Sequence, residues 1–324
     1  MEKVRIGIVG YGNIGKGTQK AVQTAPDMEL VGIFTRRDPK SLNITDSSVP
    51  VYSIHDADNM RDKIDVMILC GGSSTDLFEQ GSHFAANFNI VDSFDIHAKI
   101  PEYLDNVNAS IKNTTAVISS GWDPGLFSMM RLMTESILPD GATYTFWGHG
   151  VSQGHSFAIR NIDGVADAVQ YTVPIDKAVE AVRSGEMPIF ETRDKHLRRC
   201  FVVAEEGADL TLIEHQIKTM PNYFADYDTT VNFITADELK KDHSTMPHGG
   251  MVMHSGTTGE NKHIMEFSLK LDSNPEFTAS VLVACARACY KMYKKNDFGA
   301  KTVFDIPLAY LSFKDYNSLV KELL

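Results

Sequence analysis

The sequence has few of the features that mark a membrane protein or a nucleic-acid-binding protein. No apolar run approaches the roughly 18 residues that span a bilayer, and the N-terminal KVRIGIVG reads as a strand rather than as a secretory signal. Positive charge is in deficit, with 31 Lys and Arg against 42 Asp and Glu, and the net charge of −11 would repel a phosphate backbone. We therefore predict a cytoplasmic protein that binds neither membrane nor nucleic acid.

Disulfide and metal-binding patterns are also absent from the sequence. The four cysteines, at positions 70, 200, 285 and 289, form no C-x-x-C pair, which favours reduced thiols in the core. The 11 histidines show neither H-x-x-x-H nor H-E-x-x-H spacing. We predict no metal site.

The composition is that of a folded protein with a large core, since 43% of the 324 residues are hydrophobic and 23% are charged. In the first 120 residues, strand-like runs alternate with stretches of helical spacing, which predicts a parallel sheet covered on both faces. The fold class is therefore α/β, with a doubly wound Rossmann-type nucleotide domain. The predicted strands are 4–9, 29–34, 65–70, 89–94 and 115–120.

The sequence pattern changes after SSGWDPG at 119–125, and a helix is predicted to begin at Pro124 within this stretch. Longer, alternating strands follow and predict a second, α+β domain. The last two of these strands, 249–255 and 263–271, read as a hairpin, and a helix over 275–296 is expected to pack back onto the first domain. We predict a dinucleotide-binding domain over 1–121 plus 275–324, and a substrate-binding and dimerisation domain over 122–274.

The stretch VGYGNIG at 9–15 places Gly10, Gly12 and Gly15 in G-x-G-x-x-G order. The pattern gains weight because it follows a predicted strand and opens a predicted helix. Gly10 permits a tight turn, Gly12 lets the main chain approach a pyrophosphate, and Gly15 lets helix and strand pack closely. The helix N-terminus then stabilises phosphate through its N–H groups and its dipole.

The second strand ends at Phe34 and is followed by Thr35, Arg36 and Arg37, where an NAD-specific domain would carry Asp or Glu. A carboxylate there would repel a 2′-phosphate, whereas a hydroxyl and two guanidinium groups would bind it. The sequence therefore predicts NADP(H) as the cofactor.

Further site residues are expected at the carboxyl ends of the other parallel strands, in CGGSSTD at 70–76 and DSFD at 92–95. Asp95 and Asp123 are carboxylates at such ends and would suit a cationic substrate group, such as an ammonium. Asp123 could instead cap the following helix. In the second domain, FWGHGVSQGHS resembles a pocket rim, and HLRRC and MPHGG supply cations for a carboxylate.

Together these segments resemble the meso-diaminopimelate D-dehydrogenase family. The resemblance runs through VGYGNIG, DMELVGIFTRR, SSGWDPG, TFWGHGVSQGHS, AVQYTVP, RRCFVVA, MPHGG and DSNPEFTAS, and so covers nearly the full length. It implies an NADP-dependent homodimer that reversibly deaminates meso-2,6-diaminopimelate at its D-centre. The products would be L-2-amino-6-oxopimelate and ammonia, in the synthesis of lysine and cell-wall precursors.

The resemblance also implies two sets of site residues. Those for the cofactor are Gly10, Tyr11, Gly12, Asn13, Ile14, Gly15, Thr35, Arg36, Arg37, Gly71, Gly72, Ser73, Ser74, Ser93, Phe94, Asp95, Ser120, Gly121, Trp122, Asp123 and Pro124. Those for the substrate are Asp95, Asp123, Trp147, Gln153, Gly154, Thr172, Arg198, His248 and Asn274, where Arg198 is chosen over Arg199 by its place relative to the cysteine. Asp95, Asp123 and a bound water are all candidates for the group that takes the ammonium proton.

Two other functions are weighed against this one. A sugar oxidoreductase of similar architecture would carry a Glu-Lys-Pro triplet where this sequence reads DSFDIHAKIP. A regulator that senses NADP(H) without turnover would have no use for Asp95, Asp123 and Arg198. Both alternatives are therefore less favoured by the residues present.

Overall fold

The computed structural model describes residues 3–324, and the chain divides into two compact units. The first contains the residues up to Met129 together with Pro275–Leu324, and the second is Met130–Asn274. In chain order, the strands are β1 (Val4–Val9), β2 (Met28–Thr35), β3 (Val51–Ser53), β4 (Val66–Leu69), β5 (Asn89–Asp92), β6 (Thr115–Val117), β7 (Gly141–Trp147), β8 (Gly150–Val151), β9 (Val165–Pro174), β10 (His196–Ala204), β11 (Asp228–Phe233), β12 (His248–Thr258), β13 (Asn261–Leu271) and β14 (Gly299–Lys301).

The α-helices follow the same order, and several of them are short. They are α1 (Asn13–Thr24), α2 (Phe78–Ala85), α3 (Ile100–Ser110), α4 (Leu126–Ile137), α5 (Gln153–Arg160), α6 (Asp176–Arg183), α7 (Thr192–Lys195), α8 (Leu210–Lys218), α9 (Ala236–Asp242), α10 (Asn274–Tyr293) and α11 (Tyr316–Leu323).

The first unit is built on a parallel sheet in the order β14-β6-β5-β4-β1-β2-β3. Successive residues of β1 point to opposite faces, so Ile8 enters a core with Leu282 of α10 while Val9 enters a second core with Phe84 of α2. Each face of the sheet is thus covered by helices, and the predicted doubly wound fold is confirmed. The predicted packing of the 275–296 helix against this sheet is also confirmed.

The second unit contains two smaller sheets. One has the order β11-β10-β9-β8, in which β10 and β11 are parallel and the other pairs are antiparallel. The other is antiparallel, in the order β13-β12-β7. The predicted α+β class and the hairpin of its last two strands are confirmed, with Gly259 at φ 60° in the turn.

Two predicted boundaries near residue 120 are wrong. The strand predicted over 115–120 ends at Val117, and Ser119 takes a positive φ of 53°. The helix predicted to begin at Pro124 begins at Leu126. The reason is a tight turn over 121–125, in which the first helical amides donate to the carbonyls of Gly121 and Trp122.

Strand β9 was not predicted at all, although its sequence AVQYTVP is part of the resemblance. Its inward face carries Gln170 and Thr172, both buried, so the apolar alternation that marks a strand is missing. Thr172 on this face is one of the predicted substrate residues.

Candidate functional site

The glycine loop after β1 has the geometry that the sequence predicts. Gly10 has a φ of 90°, and its N–H donates to the carbonyl of Phe34 at 2.8 Å. A Cβ on Gly15 would lie 2.2 Å from the Gly10 carbonyl oxygen, which no side chain could accept. Close packing of α1 against β1 therefore requires glycine at position 15.

Gly12 differs, because no atom of residues 3–324 lies within 4 Å of the position that its Cβ would take. Its φ of −88° is open to any residue, so neither the protein's own packing nor its backbone requires a glycine there. Gly12 immediately precedes α1 and supplies no side-chain cap to it. An open, uncapped helix start fits a phosphate that approaches the main chain.

The residues after β2 are held by two other loops of the first unit. The Arg36 Nη2 lies 2.6 Å from Oδ1 of Asp76, and the Arg37 Nη2 donates to the carbonyl of Tyr11 at 3.1 Å. Thr35 is buried, and its hydroxyl accepts the N–H of Arg37 at 3.1 Å. The guanidinium groups of Arg36 and Arg37 are thus brought beside the glycine loop and the loop after β4.

Asp76 was not singled out from the sequence. Besides Arg36, its side chain accepts the N–H of Gly72 at 3.1 Å and the hydroxyl of Thr75 at 3.0 Å. The aspartate therefore shapes the Gly71–Ser74 loop and orients an arginine from the neighbouring loop at the same time.

The loop after β4 also contacts the loop after β5. The N–H of Asp95 donates to the hydroxyl of Ser73 at 3.2 Å, which fixes the main chain of the predicted site aspartate. Asp95 itself is exposed, and Asp123 is half-buried in the turn over 121–125. Both carboxylates belong to the first unit, at the carboxyl ends of its parallel strands.

Asp92, the last residue of β5, is a second residue that the sequence analysis missed. Its Oδ1 accepts the N–H of Phe94 at 2.9 Å and that of Ser119 at 3.0 Å, and its Oδ2 accepts the hydroxyl of Tyr103 at 2.7 Å. Burial raises the pKa of the Asp92 carboxyl, while these hydrogen bonds oppose the shift. One buried carboxylate thus ties the loop that carries Asp95 to the loop that leads to Asp123.

In the second unit, two predicted substrate residues, Thr172 and Arg198, share one row of the four-stranded sheet. Gly150, Thr172, Arg198 and Thr229 are paired in register across β8, β9, β10 and β11. The Arg198 Nη1 donates to the hydroxyl of Thr172. Arg198 is buried, whereas its neighbour Arg199 is exposed.

A second group of predicted substrate residues lies around the segment 246–248 of the second unit. It consists of Gln153, His248 and Asn274. The Gln153 amide donates to the sulfur of Met246 at 3.2 Å, and the Asn274 N–H donates to the Met246 carbonyl at 3.1 Å. The N–H of Gly249 donates to Nδ1 of His248 at 2.8 Å. Gly154 is exposed and opens α5 beside Gln153.

Trp147 is held by His196, a further residue that the sequence analysis did not select. The Trp147 N–H donates to His196 Nε2 at 2.8 Å, and the two rings stack with centroids 5.3 Å apart. Burial, together with the charge of Arg198, lowers the pKa of His196 to about 3 and that of His155 to about 4. Both imidazoles are therefore neutral at neutral pH, and the positive charges that act on His196 are those of Arg198 and Lys195.

Neither a metal cluster nor a membrane-spanning helix is present in residues 3–324. Within that range, no group of three or more His, Cys, Asp or Glu side chains is arranged to hold a metal ion. No helix in the same range has the length and apolar character to cross a membrane. The four cysteines are buried and form no disulfide.

Two regions of the chain match known protein families. Residues 121–273 match the diaminopimelic acid dehydrogenase C-terminal domain, and residues 4–93 match the NAD-binding Rossmann fold of an oxidoreductase family. The meso-diaminopimelate D-dehydrogenase of Ureibacillus thermosphaericus is 62% identical over 327 aligned residues, which cover 100% of each chain.

Solved structures agree with the sequence comparison. A mutant meso-DAP dehydrogenase from Clostridium tetani E88, solved with DAP, is 54% identical and superposes with a TM-score of 0.94, covering 99% of this chain and 100% of that one. An engineered D-amino acid dehydrogenase bound to NADP⁺ is 41% identical, with a TM-score of 0.87 and the same coverage of both chains.

Proposed function

Because the chain belongs to the meso-diaminopimelate D-dehydrogenase family, we propose that it catalyses the reversible oxidative deamination of meso-2,6-diaminopimelate at its D-centre. In the forward direction, the substrate, NADP⁺ and water give L-2-amino-6-oxopimelate, ammonia, NADPH and a proton. The relatives named above and the paired loops of the first unit support this assignment over a nucleotide sensor or a sugar oxidoreductase.

The first unit is assigned to the cofactor. Gly10, Gly12 and Gly15 would let the main chain approach the pyrophosphate, and Thr35, Arg36 and Arg37 would hold the 2′-phosphate. The open space beside Gly12 is the observation that supports a bound phosphate, because the protein itself has no use for a glycine there. The chemistry that NADP⁺ supplies when bound is acceptance of a hydride.

The second unit is assigned to the L-centre of the substrate, which carries one carboxylate and one ammonium. Arg198 would bind the carboxylate, together with Thr172, and its burial without a carboxylate partner in the described part of the chain supports that role. His248, Asn274, Gln153, Gly154 and Trp147 would complete the pocket. A neutral His196 would hold Trp147 in place without adding charge.

Asp95 and Asp123 are assigned to the ammonium of the D-centre, where hydride is lost. Two carboxylates would stabilise that cation and orient its Cα. Loss of the hydride leaves an imine, which water attacks at carbon to release ammonia. Asp95, Asp123 and a bound water each remain a candidate for the base.

We also propose that the protein is a cytoplasmic homodimer. Exposed apolar side chains of the second unit, among them Leu132, Ile137 and Ile264, support a surface for self-association. Four unpaired thiols support a reducing compartment. Sedimentation analysis and cell fractionation test these two points.

The direct test mixes the purified protein with NADP⁺ and meso-diaminopimelate and follows the absorbance of NADPH. We expect steady NADPH formation with the meso isomer and none with the LL isomer, which lacks a D-centre. NADPH binding without turnover of the meso isomer would contradict the proposed function and favour a sensor.

A further inference from the structure

We propose that Tyr227 is a positioning residue that holds Arg198 in the orientation required to bind the distal carboxylate of the substrate. The proposal rests on the function proposed above. Tyr227 does not belong to any of the segments that carry the family resemblance, and the evidence for its role is its contact with Arg198.

The first observation concerns the charge of Arg198, which is only 7% exposed. Among the residues that the structure describes, no carboxylate pairs with this guanidinium, and the neighbours His155 and His196 are neutral. A buried cation without an anion is strongly destabilised. Something other than an ion pair must therefore stabilise it in the protein alone.

The second observation is the ring of Tyr227, whose centroid lies 3.8 Å from Cζ of Arg198. At this distance the ring face attracts the cation through its quadrupole, and the attraction is strongest where water is excluded. Burial lowers the pKa of the guanidinium, while the charge interaction and the side-chain hydrogen bond with Tyr227 oppose that shift. Tyr227 thus stabilises the cation without neutralising the charge, which a substrate carboxylate still needs.

The third observation is the set of donors that remains on Arg198. Nη1 already donates to Thr172, and the ring covers one face of the guanidinium plane. Among residues 3–324, the buried Nε has no hydrogen-bond partner. A substrate carboxylate can therefore accept the Nε–H, on an edge of the guanidinium where carboxylates commonly form two parallel hydrogen bonds with arginine.

The main chain explains why the ring lies where it does. Tyr227 ends the turn before β11, and its N–H donates to the carbonyl of the fully buried Phe224 at 3.0 Å. Two residues later, Thr229 is in register with Arg198 on the neighbouring strand. The parallel pairing of β10 and β11 thus sets the ring against the guanidinium.

The test compares three single variants. Tyr227→Leu removes the aromatic face but keeps an apolar side chain, and we expect the KM for meso-diaminopimelate to rise about tenfold. The KM for NADP⁺ should stay within a factor of two, and kcat should fall by less than KM rises. Tyr227→Phe keeps the face without the hydroxyl and should recover most of the loss. Tyr223→Leu, the same change on the same turn, lacks the Arg198 contact and serves as the control.

A second arm tests whether Tyr227 acts through Arg198. In an Arg198→Met background, adding Tyr227→Leu should change kcat/KM by less than twofold, because the cation to be positioned is gone. An unchanged KM in Tyr227→Leu, equal losses in the Phe and Leu variants, or a full tenfold loss in the Arg198→Met background would each overturn the proposal. A wild-type protein that does not turn over meso-diaminopimelate would instead contradict the proposed function.

Discussion

The two units of the chain build their predicted sites by different means. In the first unit, the residues belong to loops at the ends of parallel strands, and much of the recognition falls to main-chain groups and glycines. In the second unit, Thr172 and Arg198 lie within neighbouring strands and act through their side chains. A site formed by main-chain groups is disrupted when a substitution adds atoms. A site formed by side chains is disrupted when a substitution removes them.

The two units also differ in the environment of their charged site residues. Arg36 of the first unit is exposed and lies beside Asp76, so its charge is partly neutralised and accessible to water. Arg198 of the second unit is buried beside Tyr227 with neutral histidines around it. Loss of the buried cation should therefore cost far more than loss of the exposed one.

The largest effect is expected from Arg198→Ala. Leaving a substrate carboxylate unpaired in a buried site costs about 2–5 kcal/mol, which lowers kcat/KM for meso-diaminopimelate on the order of 30- to 5,000-fold. The exposed neighbour offers a matched control, since Arg199→Ala should change kcat/KM by less than about threefold. A wild-type kcat/KM in Arg198→Ala would remove that residue from the site.

A pair of glycine variants separates packing from recognition in the first unit. Gly15→Ala forces a Cβ against the Gly10 carbonyl, and we expect a loss of about 1–3 kcal/mol in the free energy of unfolding. Gly12→Ala meets open space and should leave the melting temperature nearly unchanged. Its added methyl group would still obstruct a pyrophosphate, so the Kd for NADP⁺ should rise about tenfold.

Fluorescence titration with NADPH and thermal unfolding measure the two quantities independently. The interpretation of the loop fails if Gly12→Ala binds the nucleotide as tightly as the wild type does. It also fails if Gly15→Ala unfolds at the wild-type temperature.

An effect smaller than that of Arg198→Ala is expected on the acid stability of the second unit. His196 has a pKa of about 3 in the folded protein and about 6.5 when unfolded, so the unfolded chain binds more protons between these values. Stability is thus retained above pH 6.5 and lost as the pH falls toward 3. Between pH 7 and pH 5 the loss should be about 2 kcal/mol for this group.

His196→Gln keeps an acceptor for the Trp147 N–H but does not titrate. Denaturant unfolding of both proteins at several pH values should show a shallower loss of stability in the variant below pH 6.5. Parallel curves for the two proteins would mean that His196 is not held neutral by burial.

Local sequence patterns were enough to predict the central site residues of the first unit. The predicted cofactor residues are adjacent in sequence to the strands that position them, so their spacing was enough to predict their roles. They are Gly10, Gly12, Gly15 and Thr35–Arg37. Asp92 was missed, although an acidic residue in the otherwise apolar strand NIVD was a usable signal. Asp76 was missed because its partner Arg36 lies in a different loop.

The site residues of the second unit were harder to predict from the sequence, for a physical reason. Arg198 was chosen through the family resemblance, since burial of one arginine and exposure of the next depends on which face of β10 is covered, and the strand order of its sheet was not predicted. The contact with Tyr227 depends further on the parallel register of β10 and β11. Contacts set by strand register leave no periodic trace in a single sequence.

The most direct test of this division of roles is the ratio of kcat/KM with NADP⁺ to kcat/KM with NAD⁺, measured at saturating meso-diaminopimelate. For Arg36→Ala combined with Arg37→Ala, we predict that the ratio falls at least tenfold, because only NADP⁺ carries the phosphate that these side chains are proposed to bind. For Arg198→Ala, the ratio should equal that of the wild type even though turnover is impaired. Equal losses with both nucleotides in the double variant, or a changed ratio in Arg198→Ala, would contradict the account.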